Sequence, residues 1–469
     1  MAPITYVSTR GAAPELNFAD VLLAGLAVDG GLYVPSQWPS LTIGDLERFA
    51  SMTYAEIAVD VMWPFVDGSI GRDDFVSIVS GAYATFAAEE VVPLIDLGDN
   101  FWLAELFHGP TLAFKDIALQ LVGRLFDHEL TRRGEKVTIV GATSGDTGSA
   151  AIEALRDRPT AEVFILHPAG RVSEVQRRQM TTVLSPNVHN IAVEGTFDDC
   201  QDMVKALFAD EGFRETRNLS AVNSINWARV MAQIVYYVTS TVRLGGGPGR
   251  PVAFSVPTGN FGNVFAGYGA QRMGTPISQF VVASNRNDIL TQFLTTGSMT
   301  IGEVHPTLSP SMDIQVSSNL ERLLFEIHGR DGAAISELMS RFRSDGTVSV
   351  AGERLGLLAD HWSAARVDDA HTAATISEVH DRMGMLIDPH TAVGLAAARS
   401  ARSDASVPMV VLATAHPAKF PDAVESATGV RPPLPAHLAD LFDRTERFDV
   451  CANDFDTVRT YIEAKLDHP

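Results

Sequence analysis

Short apolar runs rich in β-branched residues alternate along this chain with longer stretches whose apolar positions recur every three or four residues. The short runs are Val137-Thr138-Ile139-Val140, Val163-Phe164-Ile165-Leu166, Val252-Ala253-Phe254-Ser255-Val256, Phe280-Val281-Val282-Ala283 and Met409-Val410-Val411-Leu412-Ala413. Such runs predict strands buried on both faces, and their alternation with helical stretches predicts a parallel sheet in an α/β core. Cys200, Met203, Val204, Leu207 and Phe208 fall on one stripe of an amphipathic helix. Phe455, Val458, Ile462 and Leu466 give the tail one further helix with a face to dock. The first part of the chain mixes short strand signals with amphipathic helices, and Asp29-Gly30-Gly31-Leu32-Tyr33-Val34-Pro35 reads as a turn into a short extended piece. Gly245-Gly246-Gly247-Pro248-Gly249 interrupts the pattern as a surface loop or a hinge, and Pro432-Pro433-Leu434-Pro435 sets the tail apart from the core.

Composition narrows the class. At 469 residues the chain exceeds one ordinary core, so two or three packed units are expected. Its 46% hydrophobic and 20% charged residues are those of a soluble globular protein. A formal charge of −21 argues against a nucleic-acid surface, which needs clustered Lys and Arg. Cys200 and Cys451 are the only cysteines, too few for a disulfide framework or a cysteine zinc site, and Cys200 reads as core. The apolar stretch at 21–28 is too short to span a bilayer and no signal-peptide pattern opens the chain, so a cytoplasmic location without a membrane partner is expected. No His-Glu-x-x-His helix, calcium loop or Gly-x-Ser-x-Gly elbow occurs, and His305, His390 and His416 lack metal-ligand spacing, so no metal is expected.

Four separated segments carry candidate chemistry. Pro257-Thr258-Gly259-Asn260-Phe261-Gly262-Asn263 follows a strand run and precedes a small-residue helix. Glycines there permit close approach of backbone N–H groups to a phosphate at a helix N-terminus; a plain strand-to-helix turn is the alternative. Thr143-Ser144-Gly145-Asp146-Thr147-Gly148 suits a carboxylate, with Asp146 beside a phenol-like oxygen; a helix cap using Ser144 or Asp146 is equally consistent. Lys115, flanked by Leu112-Ala113-Phe114 and Ile117-Ala118-Leu119, is placed for desolvation, which favours the neutral amine a Schiff base needs. A solvated lysine is the plainer reading, and Asp116 could equally be an ordinary exposed charge. Asn223, Ser224 and Arg229 form a polar cluster at the start of a hydrophobic helix, and the Arg229 fork suits a phosphate.

Phe107-His108-Gly109-Pro110-Thr111-Leu112-Ala113-Phe114-Lys115-Asp116, the 142–148 and 256–263 loops, Asn223–Arg229 and Thr414-Ala415-His416-Pro417-Ala418-Lys419-Phe420 together resemble the threonine synthase family. Tyr6-Val7-Ser8-Thr9-Arg10 resembles the leading segment of its longer bacterial and fungal branch. The resemblance implies a tryptophan-synthase-β-like fold of two parallel-sheet subdomains with the active site between them and an N-terminal α+β segment. It implies boundaries at 1–95, 96–430 (with a smaller mobile subdomain at about 138–222) and 431–469. Pyridoxal 5'-phosphate would be held by Lys115 as a Schiff base, with Lys115 also moving protons. Gly259, Asn260, Phe261, Gly262 and Asn263 would cradle its phosphate, Thr414 its pyridine nitrogen, and Asp146 would lie beside its ring hydroxyl. Thr143, Ser144, Gly145 and Thr147 would meet the substrate carboxylate, and Asn223, Ser224 and Arg229 its phosphate. The implied reaction turns O-phospho-L-homoserine and water into L-threonine and phosphate, carried out by a monomer. A serine/threonine dehydratase or O-acylserine sulfhydrylase of the same fold would share Lys115 and a glycine loop without explaining the Arg229 cluster. A silent sensor of cofactor or phosphometabolite is the non-enzymatic alternative.

Overall fold

The apolar runs segregate into two separate parallel sheets. In a computed structural model that describes residues 3–221 and 224–467, the chain folds as two units. The first holds the chain through Gly109 and again Ser224–Pro432; the second holds the segment starting at Pro110 and the tail from Pro433. The break between them falls within the proline cluster.

In the first unit six strands lie in the order Trp362–Arg366, Ile277–Ser284, Val252–Pro257, Met409–Ala413, Phe101–Glu105, Leu94–Gly98. All neighbours are parallel except the last pair, where Leu94–Gly98 runs back along Phe101–Glu105. Val410 sits beside Phe254 on one side and Trp102 on the other. Parallel register brings the C-terminal ends of these strands to one edge, where open α/β sheets bind ligands. Leu103, Val281 and Val411 pack with Ile376 and Val393 from the helices Asp369–Met383 and Pro389–Ala401 on one face, and Phe254 and Phe280 meet Tyr237 of the helix Trp227–Arg243 on the other, so both faces are covered as the apolar runs require. The N-terminal segment belongs to the same unit. Tyr6–Ser8 pairs antiparallel with Tyr33–Pro35, and the rings of Tyr6, Trp38 and Phe65 close on Trp227 at centroid distances of 5.9, 5.9 and 5.6 Å. Trp227 opens the helix Trp227–Arg243, a core helix buried along nearly its whole length, its polar side chains included.

The second unit has five parallel strands in the order Asp449–Ala452, Val188–Glu194, Ala161–Pro168, Val137–Ala142, Leu219–Ser220. The tail does more than add the expected helix. It also contributes the edge strand Asp449–Ala452, which the short Val-Cys pair did not announce because its ladder partner is remote in sequence. The helix Phe455–Asp467 then buries Val458 and Ile462 in one cluster with Cys200, Met203 and Leu207. Among the described residues, no helix is long and apolar enough to cross a membrane.

Candidate active site

In the second unit the site begins at a strained turn. Leu112 takes a positive φ of 63°, and its side chain packs with Val175, Leu438 and Leu441. Asp116 is fully buried and its carboxylate accepts hydrogen bonds from the Thr111 N–H (2.7 Å) and hydroxyl (2.6 Å). It is therefore a latch closing the turn that launches Lys115 into the helix Lys115–Arg133, and not an ordinary exposed charge. The Lys115 Nζ lies 3.6 Å from Asp146 Oδ2, while Asp146 Oδ1 accepts from Gln176 Nε2 at 2.8 Å. An amine and a carboxylate from separate segments are thus brought together, and Gln176 fixes the carboxylate's orientation. The buried Thr143 hydroxyl accepts from the N–H groups of Gly145 (3.0 Å) and Gly148 (2.9 Å), bracing the loop from inside. The cap position of the helix Asp146–Leu155 is Gly145, which has no side chain to cap with, so neither Ser144 nor Asp146 plays that part. At φ 150°, with a Cβ position 2.5 Å from the Gln176 side chain, residue 145 must be glycine. Ser144 is exposed and Thr147 half-buried, which leaves both hydroxyls and the first N–H groups of the helix for a ligand.

In the first unit the strand Val252–Pro257 leads into the glycine loop. Phe261 is left-handed at φ 62°, and the helix Gly262–Arg272 starts with no side-chain cap, leaving its leading N–H groups to an outside acceptor. A Cβ on Gly259 would meet Ile314 at 3.2 Å and the Met312 backbone at 3.3 Å; one on Gly262 would meet Asn319 at 3.3 Å. Asn263 carries the most telling atom. Its Oδ1 accepts from the hydroxyls of both Tyr236 and Tyr237, and its Nδ2 is buried with no partner. Buried amides are normally satisfied, so this one calls for an acceptor, and the donors around the loop fit a phosphate group such as that of pyridoxal phosphate. Thr414, buried, follows the neighbouring strand Met409–Ala413, so it shares the loop's sheet edge.

Arg229 is the third residue of Trp227–Arg243 and only 4% exposed. Its Nε and Nη1 have no partner, and burial pushes the guanidinium down to about 10, still a cation at neutral pH. Ser224 lies just ahead of this helix, its carbonyl accepting from Asn319 Nδ2 at 3.3 Å. Asn223 lies outside the described residues. Sequence reasoning missed Gln176, Tyr236, Tyr237 and Asn319 as parts of the site. Each is an unremarked position of a helix or loop whose value comes from a hydrogen bond to a residue far along the chain.

Three families match along the chain: threonine synthase N terminus over residues 5–83, pyridoxal-phosphate dependent enzyme over residues 91–414, and threonine synthase, C-terminal, over residues 391–462. The threonine synthase of Pseudomonas aeruginosa is 57% identical over 458 residues, covering 97% of each chain. The crystal structure of a pyridoxal-phosphate-bound threonine synthase from Brucella melitensis superimposes with a TM-score of 0.96 at 52% identity, covering 98% of this chain and 99% of that one. The yeast threonine synthase structure gives 0.95 at 38% identity, covering all of both chains. The chain belongs to the threonine synthase family of pyridoxal-phosphate enzymes.

Proposed function

We propose that this chain converts O-phospho-L-homoserine and water into L-threonine and inorganic phosphate, the last step of threonine biosynthesis. The observation that carries the reading is the pair of unmet cation and amide donors, Arg229 and Asn263, in a chain that also holds a lysine against a carboxylate. Two separate sets of unused donors suit two phosphates, one on the cofactor and one on the substrate. A dehydratase or sulfhydrylase of this fold needs only the first.

Lys115 would hold pyridoxal phosphate through Nζ, the 259–263 loop with Asn263 Nδ2 would hold its phosphate, Thr414 its pyridine nitrogen and Asp146 would lie beside its ring hydroxyl. Bound there, the cofactor supplies an electron sink that acidifies first the substrate Cα–H and then the Cβ–H. Lys115 takes the proton from Cα and returns one there after water has added at Cβ, while the proton lost from Cβ is balanced by one gained at Cγ, the carbon the phosphate leaves. Asp146, 3.6 Å from that amine, keeps charge near it while its own orientation is held by Gln176. Ser144, Gly145 and Thr147 hold the substrate carboxylate, with Thr143 bracing their loop. Ser224, Asn223 and Arg229 hold the departing phosphate, whose developing charge a buried guanidinium stabilises more than an exposed one would. Thr414 would offer the ring nitrogen a neutral hydroxyl in place of a carboxylate, which would leave that nitrogen largely unprotonated and temper the sink.

The chain's two cysteines are free and buried, which suits a reducing cytoplasm; the family resemblance favours a monomer, which sedimentation tests. Mobility of the segment 138–222 is part of the proposal, and its protease sensitivity with and without a phosphonate analogue tests it. The activity itself is tested by following phosphate and threonine from phosphohomoserine against ammonia from threonine. Ammonia release without phosphate release overturns the reading in favour of a dehydratase.

A further inference from the structure

The N-terminal segment has no assigned part in the chemistry, yet one fully buried side chain ties it to the glycine loop. Arg322 donates from Nε to the Tyr33 carbonyl at 3.0 Å, from Nη2 to the Ile225 carbonyl at 2.6 Å, and from Nη1 to Asn319 Oδ1. Three segments thus converge on one guanidinium. With its oxygen taken, the Asn319 amide can only present its NH2 group the other way. That group donates to the Asn260 carbonyl at 2.9 Å and the Ser224 carbonyl at 3.3 Å, and the Asn319 backbone N–H adds a second bond to Asn260 at 3.1 Å. Ser317 Oγ holds the preceding carbonyl, that of Gly259, at 2.6 Å.

In a trans peptide the C=O and the following N–H point in opposite directions. Pinning the Gly259 and Asn260 carbonyls onto 317–319 therefore turns the N–H groups of Asn260 and Phe261 to the opposite side. Phe261 has the left-handed backbone this arrangement demands, a conformation costly for a residue with a Cβ unless its surroundings hold it there. We propose that Asn319, oriented by Arg322 against the N-terminal segment and assisted by Ser317, is the positioning residue that aims the 260–261 amides at the cofactor phosphate. The inference rests on the reading that the 259–263 loop takes that phosphate. It gives the N-terminal segment a function: Tyr33 supplies the acceptor that sets the relay.

Asn319→Asp preserves size and the acceptor for Arg322 but removes both Nδ2 donations. Full-length wild type and variant, resolved of cofactor, are titrated with pyridoxal 5'-phosphate and separately with pyridoxal, with formation of the lysine-bound chromophore as the readout. The wild type should prefer the phosphorylated form strongly. Asn319→Asp should lose about tenfold or more of that preference, the scale of one or two hydrogen bonds, while its affinity for pyridoxal stays within about twofold. A variant that keeps the full preference, or loses affinity for both forms equally, overturns the proposal. A wild type with no preference removes the phosphate-loop reading itself, and this inference with it. Ser317→Ala, read the same way, decides the matter if Asn319→Asp does not fold; it should lose severalfold of the preference, and an unchanged preference overturns the proposal.

Discussion

Arg229 sits where a cation is expensive. It is buried with unmet donors, and as the third residue of Trp227–Arg243 it faces the positive end of the helix dipole. Burial pulls its guanidinium from the usual arginine range down to about 10, which at about 1.36 kcal/mol per tenfold is a cost on the order of 3 kcal/mol to the charged form. Arg229→Met removes the charge while keeping an unbranched chain to fill the space. In phosphate-free buffer the variant should be more stable by about 1–3 kcal/mol, because replacing a buried charge by a packed hydrophobe is neutral to stabilising. That corresponds to a rise of a few degrees in the unfolding midpoint. The same change should raise KM for phosphohomoserine by about tenfold to a hundredfold, the loss of charge-assisted bonds to the substrate phosphate. Thermal unfolding and saturation kinetics on the same preparations read both effects. Inorganic phosphate should raise the wild-type midpoint more than the variant's, since ligand binding stabilises by mass action. A variant that melts lower without phosphate and saturates like the wild type refutes both halves of the reasoning.

Lys115→Ala should abolish turnover and the lysine-bound absorption band of the purified protein; borohydride fixation of cofactor to another lysine would move the assignment elsewhere. Gly145→Ala should cost of order 1–3 kcal/mol at its φ of 150°, lowering kcat with the cofactor band intact, and Gln176→Ala in the same chain should recover part of it. Wild-type kcat in the single variant would show that the 143–148 loop yields freely. His167 is buried with both ring nitrogens unpartnered, and burial holds it below its usual 6.5. The unfolded chain therefore takes up the proton first, so stability is lost as pH falls through 6.5 and below. His167→Gln should flatten that slope in urea titrations between pH 7 and pH 5, and an unchanged slope would assign it to other groups.

Much of the fold was written locally. The strands Val252–Pro257 and Met409–Ala413 match their apolar runs almost residue for residue, because a strand buried on both faces needs no partner's sequence to be recognised. Others lengthened, Val163–Leu166 into Ala161–Pro168, since ladder pairing with Val188–Glu194 carries the backbone past the apolar stretch. Lys115 and the 259–263 glycines could be singled out for a similar reason: an amine in an oily run and a strand-to-helix turn are local patterns with chemical meaning. Asp116 shows the limit. Beside the lysine it read as an exposed charge as readily as a functional one, and only the fold back to Thr111 shows that it is buried and satisfied.

The sequence alone determined which chemistry this chain can carry: an amine in an apolar setting, loops rich in backbone donors, and a family whose motifs run from end to end. Tertiary structure alone decided which donors remain unspent. Tyr236 and Tyr237 take one end of Asn263 and leave the other unmet. Arg322 takes one end of Asn319 and turns the other onto the Asn260 carbonyl. A side-chain amide has two unlike ends, and which of them faces a ligand depends on neighbours tens to hundreds of residues away, information that no local pattern holds.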